Sequence, residues 1–209
     1  MHSVFVLIVT TFLSVQAAGD WLLPIGVKNR TSADNVLLTS IGIFGLKRAA
    51  RPTVDAHLHT GVDLCRPHSG FNEEPVYPAS SGTVVSVRAD GPFAQIIIEH
   101  TQERVWTVYE HVAGIRVHCG DRVTPDMIIA RFMNKQELYQ YGMHFNHLHF
   151  EIIRRAPRKL SPTALLPERH CGTYALTCKD EIELLRCYYN PLDYLIRANR
   201  IPLDKPEEK

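Results

Sequence analysis

Three short stretches of the chain carry side chains that bind metal ions or move protons. They are residues 59–63 (HTGVD), 109–111 (YEH) and 147–149 (HLH). The chain holds 11 histidines among 209 residues. Histidine is the commonest metal ligand and the side chain that exchanges protons near neutral pH. We therefore look for a metal-binding or catalytic site in these stretches.

The spacing within the stretches predicts how their side chains point. Residues two apart on a strand face the same way, so His147 and His149 would present two imidazoles side by side. On a straight strand His59 and Asp63 would lie roughly 13 Å apart, too far for two atoms that each bind one ion at about 2 Å. The chain must bend between them, and Gly61 permits a bend without a Cβ clash.

The residue types favour zinc. Imidazole nitrogens and carboxylate oxygens are zinc ligands, and a catalytic zinc site uses three protein ligands. His59, Asp63 and one histidine of the 147/149 pair supply that number. Zinc acidifies a bound water, and hydrolysis then requires a nearby base. The other histidine of the pair and His111 are candidates for that base.

The surrounding segments have the composition of short strands. We predict strands at 83–87, 94–99, 104–109 and 148–153, which are rich in β-branched and aromatic residues and separated by turn residues. A further strand is predicted within 127–132 and one or two helical turns at 134–140. The fold class is therefore mainly β, with an antiparallel sheet.

Composition excludes some partners. Lys and Arg total 23 against 22 Asp and Glu, and a net charge of +1 gives no long-range field that would collect nucleic acid. We expect no nucleic-acid partner. The five cysteines are an odd number, which permits at most two disulfides. Cys171 and Cys178 are close enough in sequence to close a small loop, and we expect this disulfide if the protein is exported, whereas spacing does not define the other pairings.

The three stretches together resemble a known family. H-x-x-x-D, Y-x-H and H-L-H-F-E, in this order, are similar to the motifs of the lysostaphin-type, LytM-like zinc metallopeptidases. Residues 40–48, 75–85 and 120–123 resemble the opening strand, the P-V-x-A stretch and the G-D-x-V turn of that family. The resemblance covers about residues 39–154, and it implies an open antiparallel β-sheet with a groove that carries the zinc site.

The resemblance also implies roles for the matched residues. His59, Asp63 and His149 would bind one zinc ion per chain, while His111 and His147 would polarise the water and stabilise the tetrahedral oxyanion. The implied activity is hydrolysis of peptide bonds in bacterial peptidoglycan. His57 does not stand four residues before an Asp, and we expect it at the surface. The loop at 142–146 would form one wall of the groove, where the family usually has small residues.

Four segments follow from these observations. Residues 3–15 are almost wholly apolar, too short to span a membrane but typical of a signal-peptide core. We predict secretion or periplasmic export, with no membrane insertion after cleavage; the alternatives are an uncleaved membrane anchor and a buried N-terminal strand. The segments are a signal peptide at 1–18, an N-terminal extension at 19–38, a zinc metallopeptidase domain at 39–155 and a C-terminal appendage at 156–209. Asn190 and Pro191 predict the start of a short helix at 192–199 in the appendage.

Two other functions compete with the enzyme. One is an extracellular binding or regulatory module that keeps the peptidase fold but no longer cleaves. The presence of all five family positions favours the enzyme over this module. The other is a structural zinc domain, which is weaker because a closed site would require a fourth Cys or His ligand.

Overall fold

The computed structural model describes residues 21–33 and 36–200, with the backbone alone for Arg200. The predicted signal peptide at 1–18 lies outside the described residues. The strands are β1 (Lys47–Arg48), β2 (His57–Leu58), β3 (Val62–Cys65), β4 (Pro75–Val76), β5 (Gly82–Arg88), β6 (Gln95–His100), β7 (Val105–Glu110), β8 (Val112–Ala113), β9 (Arg122–Val123), β10 (Ala130–Phe132), β11 (His147–Ile153), β12 (Arg158–Lys159), β13 (Cys171–Gly172) and β14 (Tyr188–Tyr189). The helices are α1 (Lys135–Tyr141), α2 (Glu181–Cys187) and α3 (Pro191–Arg200).

A seven-stranded antiparallel sheet forms the centre of the fold. Its order is β14-β11-β7-β6-β5-β9, and β3 pairs with β11 on the same side as β14. The four longest predicted strands are β5, β6, β7 and β11, each found within one residue of its expected bounds. The predicted mainly β, antiparallel fold class is confirmed. The strand expected within 127–132 is shorter and spans only Ala130–Phe132.

One face of the sheet is buried along its whole length. Alternate residues, including Ile96 and Phe150, are fully buried there in the main hydrophobic core. Trp21 of the N-terminal segment and Leu195 of α3 belong to the same core. So do residues of a second, three-stranded sheet, ordered β4-β10-β8. These elements bury one face of the sheet, so a functional site on the sheet must lie on the opposite face.

The opposite face is covered over only part of its area. Ile97, Val108 and Ile153 form a smaller core with Leu184 and Tyr188 of the C-terminal segment. That segment also joins the sheet, because β14 pairs with the end of β11. The remainder of this face, nearer the start of β11, carries the polar stretches singled out in the sequence.

Two of the three helices were predicted from local sequence features. Asn134 caps α1 by accepting from the backbone N–H of Glu137, and α3 begins at Pro191 as predicted. α2 was not predicted, although Asp180 accepts from the backbone N–H of Glu183 at 2.8 Å in a typical N-cap arrangement. Among the described residues no helix combines the length and apolarity needed to cross a membrane.

The cysteines differ from the expectation. All five are free thiols, so the expected loop between Cys171 and Cys178 is wrong. Cys171 lies on the short strand β13 and packs against the smaller core, and Cys178 is buried within that core together with Cys187. Proximity in sequence did not place the two sulfurs in bonding geometry, since each residue is held by a different element.

Candidate metal centre

Strand register places four polar residues in a row across the sheet. His149 on β11 lies opposite Asp63 on β3 and opposite Glu110 on β7, and Glu110 lies opposite Gln95 on β6. Residues directly opposite on antiparallel strands point to the same face. The row therefore lies on one face of the sheet, beside the smaller core.

His59 reaches this row through a bend in the chain. β2 ends at Leu58 and β3 begins at Val62, so the chain does bend between His59 and Asp63 as expected. A Cβ at Gly61 would lie 2.3 Å from the backbone carbonyl oxygen of Phe150, a distance that no side chain tolerates. Glycine is thus required because the bend passes directly against β11.

Three side-chain atoms converge at the end of this bend. Nε2 of His59 lies 3.0 Å from Oδ1 of Asp63, and Nδ1 of His149 lies 2.9 Å from the same oxygen. The two imidazole nitrogens are 3.0 Å apart. The three residues are a group that could hold a metal ion.

Each of the two imidazoles has one nitrogen inside this cluster and one outside it. The hydrogen bond of the outer nitrogen determines whether the inner nitrogen carries a proton. Nδ1 of His59 donates to the backbone carbonyl of Ile43 at 2.9 Å, and Nε2 of His149 donates to Oε1 of Glu151 at 3.0 Å. In a neutral imidazole the other nitrogen then carries a lone pair. When both rings are neutral, two nitrogen lone pairs and a carboxylate oxygen face one another within about 3 Å. A cation between them would remove this repulsion.

The donor set fits zinc. Zinc takes nitrogen and oxygen ligands at about 2.0–2.2 Å in a tetrahedral arrangement, which separates neighbouring ligand atoms by a little over 3 Å. The observed separations are close to that value. Histidine ligands of zinc characteristically donate their second N–H to a carboxylate or a backbone carbonyl, as both histidines do here.

The electrostatics of the ligands reflect this crowding. Burial alone would raise the pKa of Asp63, but hydrogen bonds from His149 and His59 outweigh it and hold the pKa well below its usual range. Burial would lower the pKa of His149, whereas its hydrogen bonds to Asp63 and Glu151 raise that pKa to about 10. Without a metal, a proton on His149 compensates the carboxylates, and a metal would compete for the same position.

The two other predicted histidines line the same site. The rings of His111 and His147 are 4.9 Å apart, and Nε2 of His147 lies 3.6 Å from Oδ1 of Asp63. Burial, aided by the neighbouring His147, lowers the pKa of His111 to about 3. Burial also lowers the pKa of His147 to about 4, although Asp63 acts against it. Both imidazoles are thus neutral at pH 7.

The backbone orients His111 for this position. Its φ of 65° is unusual for a residue other than glycine. Nδ1 of His111 donates to the backbone carbonyl of Pro92 at 2.6 Å. The proton is therefore on Nδ1, and Nε2 is left as an acceptor.

Several supporting residues were not found from the sequence. Arg48 donates to Oδ2 of Asp63 at 2.8 Å, and Thr60 donates to Oε1 of Glu151 at 2.5 Å. Glu151 stands two residues after His149 on one strand, so period-2 alternation could have placed it on the same face. No sequence signal linked Arg48 to Asp63, because their contact depends on the pairing of β1 and β2.

His57 does not lie where we expected it. The expectation of a surface residue is wrong, because His57 is buried. Its Nδ1 lies 2.8 Å from the backbone carbonyl oxygen of Asp55, and the residue pairs with Arg48 in the short sheet of β1 and β2. It is not among the three residues that could hold a metal ion.

Three solved structures are similar to this chain. Lysostaphin from Staphylococcus simulans is similar in structure at 17% identity over 84% of this chain and 56% of its own, with a TM-score of 0.48. The SpoIIQ-SpoIIIAH pore forming complex matches at 24% identity over 65% of this chain and 84% of that chain, with a TM-score of 0.46. A zinc containing peptidase from Vibrio cholerae matches at 24% identity over 73% of this chain and 38% of its own, with a TM-score of 0.43.

The sequence comparison is more specific. No curated protein sequence matches the chain. The sequence profile of peptidase family M23, in contrast, matches residues 57–162, which is about half of the chain and includes all five predicted site residues. This chain belongs to peptidase family M23.

Proposed function

We propose that the protein is a zinc-dependent endopeptidase that acts outside the cytoplasm on the peptide part of bacterial peptidoglycan. The observation that carries the proposal is the convergence of one atom each from His59, Asp63 and His149, with the outer nitrogens of both histidines committed to other acceptors. Zinc bound there would acidify a water and polarise the carbonyl of the scissile bond.

The proton-handling roles are proposed for His111 and His147. Both are neutral at pH 7, and Nε2 of His111 is an acceptor, so it can take a proton from the attacking water. Once protonated, this pair can donate to the tetrahedral oxyanion and to the leaving amine. Because the rings lie side by side, either proton reaches its acceptor without a large movement of the protein.

Sequence features support the export and substrate proposals. The apolar run at residues 3–15 supports export, and the near-zero net charge fits a peptide substrate better than a polyanion.

Digestion of purified peptidoglycan tests the proposal. We expect the zinc-loaded protein to release fragments with new amino and carboxyl termini, detected by mass spectrometry, and a chelator to stop the release. The variant Ile182→Ala changes an exposed side chain away from the site and should cleave like the wild type. Binding to peptidoglycan without new termini would instead support the non-catalytic binding module.

A further inference from the structure

One segment of the chain, residues 39–48, contacts His59 through three hydrogen bonds. The backbone N–H of His59 donates to the carbonyl of Leu46 at 2.9 Å, and the carbonyl of His59 accepts from the N–H of Gly45 at 2.8 Å. On the ring, Nδ1 of His59 lies 2.9 Å from the carbonyl oxygen of Ile43. The segment therefore fixes both the main chain and the imidazole of this residue.

The same segment also contacts Asp63. The backbone N–H of Asp63 donates to the carbonyl of Gly42 at 3.0 Å, and the carbonyl of Asp63 accepts from the N–H of Thr39 at 3.0 Å. A Cβ at Gly42 would lie 2.8 Å from the carbonyl oxygen of Asp63, so the two backbone segments touch. Two of the three residues of the candidate metal centre are thus held by a segment that is not part of the seven-stranded sheet.

Arg48, at the end of this segment, binds the carboxylate of Asp63. Nη2 of Arg48 donates to Oδ2 of Asp63 at 2.8 Å, and the two side chains are 18% and 5% exposed. The other oxygen, Oδ1, lies 3.0 Å from Nε2 of His59 and 2.9 Å from Nδ1 of His149. The two oxygens of this carboxylate therefore have separate partners, the guanidinium on one side and the imidazoles on the other.

The pairing of β1 with β2 fixes Arg48 relative to the centre. Arg48 lies opposite His57, which stands two residues before His59 on the strand that leads into the bend. Neighbouring residues on a strand face opposite ways, and the side chain of Lys47 is exposed. Arg48 is thus the residue of this strand whose side chain faces the centre.

Three roles for Arg48 predict three different effects on zinc binding. A cation beside the site repels the metal, so an Arg48 that acted only through its charge would weaken zinc binding. An Arg48 that only stabilised the fold would not affect the zinc affinity of the folded protein. An Arg48 that orients Asp63 would strengthen zinc binding, because a carboxylate without this partner can rotate Oδ1 away from the imidazoles.

We propose that Arg48 is a positioning residue of the metal centre, which binds Oδ2 of Asp63 so that Oδ1 alone faces the two imidazoles. The inference rests on the proposed function and adds to it a residue that does not itself bind the metal. Outer partners of metal ligands typically contribute about 10–100-fold to metal affinity or activity.

The zinc affinity of Arg48 variants tests this role. Competition with a fluorescent zinc chelator gives the Kd of the wild type, Arg48→Gln and Arg48→Lys. We expect Arg48→Gln to bind zinc about 10–100-fold more weakly than the wild type. Arg48→Lys keeps a cationic donor without the planar guanidinium, so its affinity should lie between the two.

Two matched variants control for charge and for stability. Lys47→Gln removes the neighbouring, exposed positive charge on β1 and should bind zinc like the wild type. Arg30→Gln removes a partly buried arginine that donates to the carbonyls of Leu23, Pro78 and Pro125. It should lower the melting temperature without changing the zinc affinity, because none of these carbonyls belongs to the metal centre.

The sign of the change in Arg48→Gln decides among the three roles. Tighter zinc binding would show that Arg48 acts through its charge, and an unchanged affinity with a lowered melting temperature would show a role in stability alone. Either result would overturn the inference. If Arg48→Gln does not fold, folded Arg48→Lys takes its place, and an affinity equal to that of the wild type would then count against positioning.

The affinity measurement requires no substrate, so it separates this inference from the proposed function. If the protein binds zinc, loses affinity in Arg48→Gln and cleaves no peptidoglycan, the enzyme fails and the positioning role stands. If the wild type cleaves peptidoglycan but Arg48→Gln keeps its zinc affinity, the positioning role fails and the enzyme stands. A wild type that binds no zinc would overturn both.

Discussion

Two halves of one sheet face differ in what covers them. In the open half Gln95, Glu110 and His149 form a row across β6, β7 and β11. In the covered half Ile97 and Val108 lie on the same strands, only two residues further along, yet they are buried beneath the C-terminal segment. The change from polar to apolar within a single strand thus marks where the cover begins. The C-terminal segment packs on the apolar half and so borders the site.

Glu151 stands at the boundary between the two halves. It follows His149 by two residues on β11 and precedes Ile153, which belongs to the smaller core. Its Oε1 accepts from His149 and Thr60, while its buried Oε2 has no hydrogen-bond partner among the described residues. A buried carboxylate is costly unless it is paired. Its contact with His149 indicates that the covered half supports the ligands of the open half.

The largest effect is expected from a ligand in the open half. His149→Ala removes one of three ligands, so the protein should lose both its zinc and its cleavage of peptidoglycan, down to background. Zinc content is measured by elemental analysis beside a cleavage assay. Full zinc occupancy in this variant would mean that the ligand set is wrong.

The next effect is expected at the neighbouring histidines. His111→Ala and His147→Ala should keep most of their zinc but cleave roughly two to four orders of magnitude more slowly, the range for loss of a general base or an oxyanion donor. Steady-state rates on zinc-loaded protein provide the check. Cleavage at the wild-type rate in both variants would contradict the proton-handling roles.

A substitution in the covered half should lower the stability of the protein and leave catalysis nearly unchanged. Ile97→Ala leaves a cavity under the C-terminal segment and should lower the free energy of unfolding by about 2–5 kcal/mol. Urea denaturation measures the change, with exposed Ile182→Ala as a control expected within about 0.5 kcal/mol of the wild type. Cleavage per folded molecule should stay nearly constant. A large loss of rate in folded Ile97→Ala would show that the two halves are not separable.

The smallest effect is expected at the boundary. Glu151→Gln keeps the shape of the side chain but weakens the acceptor for His149, which should reduce zinc affinity or activity about 10–100-fold. Competition with a fluorescent zinc chelator gives the affinity. If zinc affinity and activity are both unchanged, Glu151 does not support the metal ligands and contributes only to the packing of the covered half.

The sequence predicted the central strands and the convergence of the stretches, because alternation and ligand spacing are local. It could not reveal the cover over Ile97 and Val108, since that depends on α2 and β14 packing from more than 70 residues away. The Arg48–Asp63 contact was hidden for the same reason. The proposed loop between Cys171 and Cys178 failed because spacing along the chain says nothing about the elements that hold each sulfur.

X-ray absorption at the zinc edge of the zinc-loaded protein tests the central claim most directly. The account predicts one zinc per chain with a first shell of nitrogen and oxygen only, at about 2.0–2.1 Å, and outer scattering from two imidazoles. That spectrum would match ligation by His59, Asp63 and His149. A sulfur shell at about 2.3 Å, which would require a cysteine such as Cys65 as a ligand, would contradict the account, as would a protein that binds no zinc.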